Sequence, residues 1–128
     1  MPRFFNPPTV AAPAARYSHG VEHGAGARRL VISGQVGTRP DGTLAEGFEA
    51  QAEAAWDNLV AVLRDAGMDL PDLVKTTIFV TAPDVLMASR AVRERKLQGA
   101  APASTYLQVA GLARPDFLIE IEGEAVKE

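Results

Sequence analysis

The strongest hydrophobic pattern in the chain covers residues 49–66. Apolar residues recur there at intervals of three and four, which places them along one face of a helix. The residues on this face are Ala52, Ala55, Trp56, Leu59, Val62, Leu63 and Ala66. Gly67 follows directly, and glycine is favoured just after a helix because it adopts positive φ angles at little cost. The pattern therefore predicts an amphipathic helix over residues 49–66.

Shorter apolar runs predict five strands. Residues 17–23 and 29–33 form the first two, and the intervening Gly24 and Gly26 favour a tight hairpin turn. The third strand covers residues 73–80, and its predicted inner face consists of Val74, Thr76, Ile78 and Val80. Residues 104–109 and 117–126 form the last two strands, separated by a loop that contains Pro115. Strands thus precede and follow the long helix.

A second helix is predicted between the third and fourth strands. Asp84 resembles an N-cap, and the helix ends near Gly99. Its apolar stripe is weaker and consists of Val85, Ala88, Ala91, Val92 and Leu97. The first sixteen residues are rich in Pro and Ala and predict an extended lead-in, because proline has no N–H group to donate to a ladder.

The order of these elements, ββ-α-β-α-ββ, indicates an α+β fold in a single domain that covers residues 1–128. We expect both helices on one face of a mixed sheet. The opposite face then meets water or another subunit. Because several apolar residues point toward that face, we expect an oligomer that buries it.

Composition excludes several function classes. The chain has no cysteine, so a disulfide framework, a thiolate nucleophile and a zinc–thiolate site are all ruled out. Its net charge of −3 provides no general attraction for nucleic acid, so we expect no nucleic-acid partner. No apolar run has the length of a signal peptide or a membrane span. We therefore expect a cytoplasmic protein without a membrane partner.

Six short motifs give the chain a family resemblance. They are Ser33-Gly34-Gln35, Asp57-Asn58-Leu59, Ala66-Gly67, the strand at residues 74–80, Pro102-Ala103 and Ile119-Glu120-Ile121-Glu122. In this order and spacing they resemble the Rid family, also known as YjgF or endoribonuclease L-PSP, from about Tyr17 onward. The resemblance implies a chorismate-mutase-like subunit in a homotrimer with small-molecule clefts between subunits. It also implies hydrolysis of reactive enamines and imines, without a metal or organic cofactor.

Several residues match the family's cleft. Tyr17 corresponds to a cleft tyrosine, and Ser33 and Gly34 correspond to the family's Ser-Gly-Gln turn. Glu120 corresponds to the glutamate that positions the attacking water, a role in which a buried carboxylate with a raised pKa takes up the proton of water. Each match has a simpler alternative: a buried tyrosine, a turn that needs small residues, and a solvated acidic strand face.

Other positions depart from the family pattern. Ser104 stands where the best-known branch has an arginine that binds the substrate carboxylate, and Tyr106 stands where a cysteine is common. Arg90 occupies a position at which many members have asparagine, and it is the first candidate for a relocated cation, ahead of Arg16. The remaining cations of the second helix, Arg93, Arg95 and Lys96, are interpreted as a solvated basic face.

These residues support three functional hypotheses. The first is hydrolytic deamination of an enamine or imine other than the small 2-imino acids, with Glu120 orienting water, Tyr17 and Ser33 holding the ligand and Arg90 binding an acidic group. The second is a non-catalytic protein that binds a metabolite in the same cleft. The third is a ribonuclease, which the family label suggests and the acidic charge balance disfavours.

Overall fold

Residues 2–128 are described by the computed structural model, and within them six strands and two long helices follow one another along the chain. The strands are β1 (Arg3–Phe5), β2 (Gly20–Glu22), β3 (Arg28–Val36), β4 (Leu73–Val80), β5 (Ala103–Gln108) and β6 (Ile119–Lys127). The helices are α1 (Phe48–Asp65) and α2 (Leu86–Leu97), and a short 3-10 turn, Leu70–Asp72, leads into β4.

Four strands form one mixed sheet in the order β3-β6-β4-β5. β6 runs antiparallel to both β3 and β4, whereas β4 and β5 run parallel and are joined through α2. This connection is expected, because parallel neighbours need a crossover and cannot be joined by a tight turn. With α1 packed on β3, β6 and α2, the predicted α+β fold is confirmed.

The core lies between α1 and the sheet. Trp56, Leu59 and Leu63 of α1 are fully buried, as are Ile119 and Ile121 of β6. The predicted helical face is confirmed except at its C-terminal end, where Val62 remains 37% exposed and Ala66 lies just beyond the helix. Neither helix within residues 2–128 is long and apolar enough to cross a membrane.

The predicted N-terminal hairpin is wrong. β2 pairs with β1, with Val21 opposite Phe4, and the two form a separate two-stranded sheet. The lead-in interpretation is wrong for Arg3–Phe5, which forms β1. This tripeptide lies ahead of Pro7 and Pro8, so every residue in it has an N–H group to donate to the pairing.

The prediction for α2 is correct in position but wrong in detail. Asp84 has a φ angle of 62° and lies outside the helix, which begins at Leu86 without a side-chain cap. Two residues of the predicted apolar stripe, Ala88 and Ala91, are exposed. Ser89 and Arg93 are buried in their place, four residues apart on one face of the helix. The buried stripe of α2 is therefore partly polar.

Gly37 provides a test of how closely α1 approaches the end of β3. A Cβ atom at Gly37 would lie 2.6 Å from the Cα atom of Gln51, which is backbone that cannot rotate away. We expect Gly37→Ala to lower the free energy of unfolding by about 1–3 kcal/mol, as overpacking does in cores. Gly26→Ala is the control, because nothing lies within 4 Å of its added methyl group. Equal urea midpoints for the two variants would contradict this packing.

Candidate functional site

A pocket of about 160 Å³ lies between α2 and the paired strands β4 and β5. Four of the residues singled out in the sequence line it, namely Tyr17, Arg90, Ser104 and Tyr106. The rest of the lining consists of Ile78, Leu86, Ser89 and Arg93. Among the residues that the structure describes, no carboxylate lines this pocket, so its fixed charges are those of two guanidinium groups.

The pairing of β5 with β4 directs Ser104 and Tyr106 toward the helices. Ser104 is in register with the buried Thr76, and Tyr106 is in register with the buried Ile78. The Thr76 hydroxyl donates a hydrogen bond to Ser104 Oγ at 3.2 Å, which leaves the Ser104 hydroxyl proton for a ligand. Burial raises the pKa of Tyr106, an effect that the nearby Arg90 charge partly opposes. The phenol therefore stays protonated at neutral pH and is a hydrogen-bond donor.

Ser18 holds the neighbouring Tyr17 at the pocket. Ser18 is 4% exposed, its hydroxyl donates to the Ala101 carbonyl at 2.6 Å, and its backbone N–H donates to the Pro102 carbonyl at 3.2 Å. These bonds fasten the segment before β2 to the start of β5. Sequence reasoning missed Ser18, because a contact between residues 83 positions apart leaves no local pattern.

Arg93 is the least expected member of the pocket. It is 6% exposed, and its Nε and Nη2 atoms are buried without a hydrogen-bond partner. Burial lowers the pKa of the Arg93 guanidinium, and the positive charge of Arg90 lowers it further. Interpreting Arg93 as part of a solvated basic face is therefore wrong. The sequence predicts a surface position for Arg93 because arginine rarely occupies the buried face of a helix without a partner.

The other cations near α2 do not enter the pocket. Arg95 Nη2 lies 2.6 Å from Glu53 Oε1 and Lys96 Nζ lies 2.9 Å from Asp57 Oδ1, so both bind carboxylates of α1. Arg16, the second candidate for a relocated cation, is exposed and outside the lining. Arg90, the first candidate, does line it.

Glu120, Ser33 and Gly34 form a second group. The pairing of β3 with β6 shifts between Ile32 and Gln35, so Ser33 and Gly34 lie in a β-bulge. A Cβ atom at Gly34 would overlap the Glu120 carboxylate, which shows that the glutamate lies directly over this glycine. Glu120 is half-buried and forms no hydrogen bond or ion pair within residues 2–128.

The two groups lie on opposite faces of the sheet. On β6, Ile121 is in register with Ile78, which faces the helices beside Tyr106. Glu120 is adjacent to Ile121 on β6, so its side chain points to the opposite face of the sheet, which the helices do not cover and which we call the open face. A single chain therefore brings Tyr17, Arg90, Ser104 and Tyr106 together but separates them from Glu120, Ser33 and Gly34. Within the described part of the chain, no three His, Asp or Glu side chains gather where they could share a metal ion.

Comparison with known proteins places this architecture in a family. The family model described as Endoribonuclease L-PSP matches residues 9–127. The chain belongs to this family, which includes the Rid and RutC proteins, and the resemblance drawn from its motifs is confirmed.

Individual relatives match along most of their length. The RutC family protein YjgH of Escherichia coli is 35% identical over 120 residues, covering 88% of this chain and 92% of its own. The 2-iminobutanoate/2-iminopropanoate deaminase of Salmonella typhimurium is 35% identical over 125 residues, covering 93% and 94%. The crystal structure of the Rid-family protein YyfB of Yersinia pestis superposes with a TM-score of 0.88 at 37% identity, covering 97% of each chain.

Ser18 provides a test of how Tyr17 is positioned. Ser18→Ala leaves the half-buried Ala101 carbonyl without this donor, so we expect the free energy of unfolding to fall by about 1 kcal/mol or more. Ser33→Ala is the control, because Ser33 is exposed and its loss should change stability by less than about 0.5 kcal/mol. Urea unfolding measures both, and an unchanged midpoint for Ser18→Ala would show that this bond does not fasten the segment.

Proposed function

We propose that this protein hydrolyses a reactive enamine or imine to a carbonyl compound and ammonia. Family membership supports the reaction class, because relatives named 2-iminobutanoate/2-iminopropanoate deaminase match 93% of the chain. The observation that carries the proposal is the Glu120 carboxylate, which lies over Gly34 and has no partner within residues 2–128. An unpaired, half-buried carboxylate is suited to orient a water molecule.

The reaction needs a base, a proton donor and a means of holding the substrate. Glu120 accepts a proton from water as the water oxygen bonds to the imine carbon and the π electrons move to nitrogen. Glu120 returns this proton to the nitrogen, which gives a neutral carbinolamine. Glu120 then takes up the hydroxyl proton of the carbinolamine as the carbonyl forms and the C–N bond breaks, and it passes that proton to the departing nitrogen, which leaves as ammonia. Imine plus water thus yields carbonyl plus ammonia, with a glutamate that ends as it began.

The two groups of residues act together only if two copies of the chain meet. We place the site in a cleft of a homotrimer, with the pocket of Arg90, Ser104 and Tyr106 from one subunit and Glu120 from its neighbour. The open sheet face supports such an assembly, because Val31 is 64% exposed there and Leu107 is 43% exposed. Apolar side chains on an exposed sheet face are typical of a surface that another subunit covers.

Ser104 argues against the small 2-imino acids as substrates. An arginine fork forms two charge-assisted bonds with a carboxylate, and a hydroxyl replaces neither the charge nor the geometry. The loss of such a contact costs on the order of 2–5 kcal/mol, or about thirtyfold or more in affinity. We therefore propose 2-imino acids with larger or more acidic side chains as the substrates.

A non-catalytic ligand-binding protein is the second candidate. Two residues on the helix side of β5, Ser104 and Tyr106, differ from those expected in the best-known deaminase branch, while the pocket itself is intact. A protein of this kind would bind the same small molecules and release no ammonia from them. Ammonia release is therefore the measurement that separates the two candidates.

Replacement of Glu120 tests the proposed reaction. We expect Glu120→Gln to lower enzyme-dependent ammonia release by about 10²–10⁴-fold, because the amide cannot accept the proton of water. The substrates are 2-imino acids generated in situ from a panel of amino acids by an amino-acid oxidase. Glu122→Gln is the matched control, since Glu122 lies on the same strand and sheet face and is exposed.

Two results would count against this account. Ammonia release at the uncatalysed rate for every imine would eliminate the deaminase and favour the binding protein. Rapid, Glu120-dependent hydrolysis of 2-iminopropanoate would keep the deaminase and refute the exclusion of small 2-imino acids.

A further inference from the structure

The four cationic residues of α2 fall into two pairs with different environments. Arg95 and Lys96 bind carboxylates on α1. Arg90 and Arg93 form no ion pair within residues 2–128, and both line the pocket. Within residues 2–128, the Arg90 side chain donates one hydrogen bond, from Nη1 to the Met87 sulfur at 3.9 Å, and a thioether is a weak partner for a guanidinium.

Arg93 is the more informative of the two. Only 6% of Arg93 is exposed, and its buried Nε and Nη2 atoms have no hydrogen-bond partner. A buried guanidinium without a counter-charge is strongly unfavourable, so proteins pair such groups with an anion. Two neighbours favour the charged form of Arg93: Glu94, which is exposed and outside the pocket lining, and the phenol of Tyr17, which lines the pocket but is not a carboxylate. The pocket itself therefore lacks the anion that Arg93 needs.

We propose that Arg93 and Arg90 form an anion subsite for a small molecule with two negative charges, and that the substrate is an imine with two carboxylates. The identity of the substrate rests on the proposed function, whereas binding of a dianion does not. The pocket lining contains two guanidinium groups and no carboxylate. A bound dianion therefore neutralises the pocket, whereas a bound monoanion leaves it with one positive charge. The volume of about 160 Å³ limits the ligand to a small acid.

The same subsite accounts for Ser104. An arginine at this position would place a third positive charge in a pocket that already contains two, and like charges in a partly buried site repel strongly. Serine instead donates a hydrogen bond without adding charge. Ser104 lies on β5 and the two arginines lie on α2, so the anion is bound at a different wall of the pocket. Relocation of the cations thus changes which substrate fits.

Two five-carbon oxo acids test the proposal without any turnover. 2-Oxoglutarate and 2-oxopentanoate differ in that a terminal carboxylate replaces a methyl group. Titration calorimetry is expected to show at least about tenfold tighter binding of 2-oxoglutarate to the wild-type protein. Arg93→Gln and Arg90→Gln should each weaken this binding by about thirtyfold or more. Arg95→Gln, on the same helix but bound to α1, should leave the affinity unchanged.

Thermal unfolding gives an independent readout. Because Arg93 is buried without a partner, Arg93→Met is expected to raise the melting temperature of the ligand-free protein by a few degrees. 2-Oxoglutarate should raise the melting temperature of the wild-type protein and leave that of Arg93→Met unchanged. A stabilised variant that no longer binds the dianion is the signature of a binding residue. A purely structural arginine would not give it.

Three outcomes would overturn the subsite. They are equal affinity for the two oxo acids, wild-type affinity in Arg93→Gln, and a lower melting temperature for Arg93→Met, which would mean that Arg93 pairs with a carboxylate in the assembled protein. Failure of the proposed reaction is a separate result. Arginine-dependent binding of 2-oxoglutarate together with no ammonia from any imine would refute the deaminase and leave the subsite intact.

Discussion

The side chains of β6 point alternately to the two faces of the sheet, and the rest of the structure depends on this alternation. This strand lies between β3 and β4 in the sheet, and its apolar residues pack under α1. Ile119 and Ile121 must therefore face the helices, and Glu120 between them must face the other way. A shift of one residue would bury the glutamates and expose the isoleucines, so packing of the core also fixes the direction of the carboxylate.

This constraint divides the chemistry of the chain between two surfaces. The Gly34 bulge and Glu120 lie on the open face, where we propose that water is bound, and the pocket between α2 and β5 lies on the helical face, where we propose that an anion binds. Arg93 in that pocket carries the unfavourable energy of a buried, unpaired charge, which is consistent with binding rather than stability. Each face lacks what the other provides, and assembly of several copies would combine them.

Much of the fold could be predicted from local patterns, and the site only in part. Helix α1 and strand β4 follow from periodicity, and the family motifs identify Tyr17, Ser104 and Tyr106, which the structure does bring together. The pairing of β1 with β2 joins residues far apart in sequence, so no local pattern indicates it. The burial of Arg93 could not be predicted, because a buried helical face is recognised in a sequence by its apolar residues and arginine is charged.

Subunit mixing tests the central claim, that one cleft uses Glu120 from one copy and Arg93 from another. Glu120→Gln and Arg93→Gln chains with different tags are co-expressed, and assemblies that contain both are purified. Neither variant alone should release ammonia efficiently from the imine that the wild-type protein hydrolyses best. In a mixed trimer one of the clefts combines two intact residues, so activity should return to roughly a third of the wild-type value. Mixed assemblies that stay as inactive as the two parents would contradict a shared cleft.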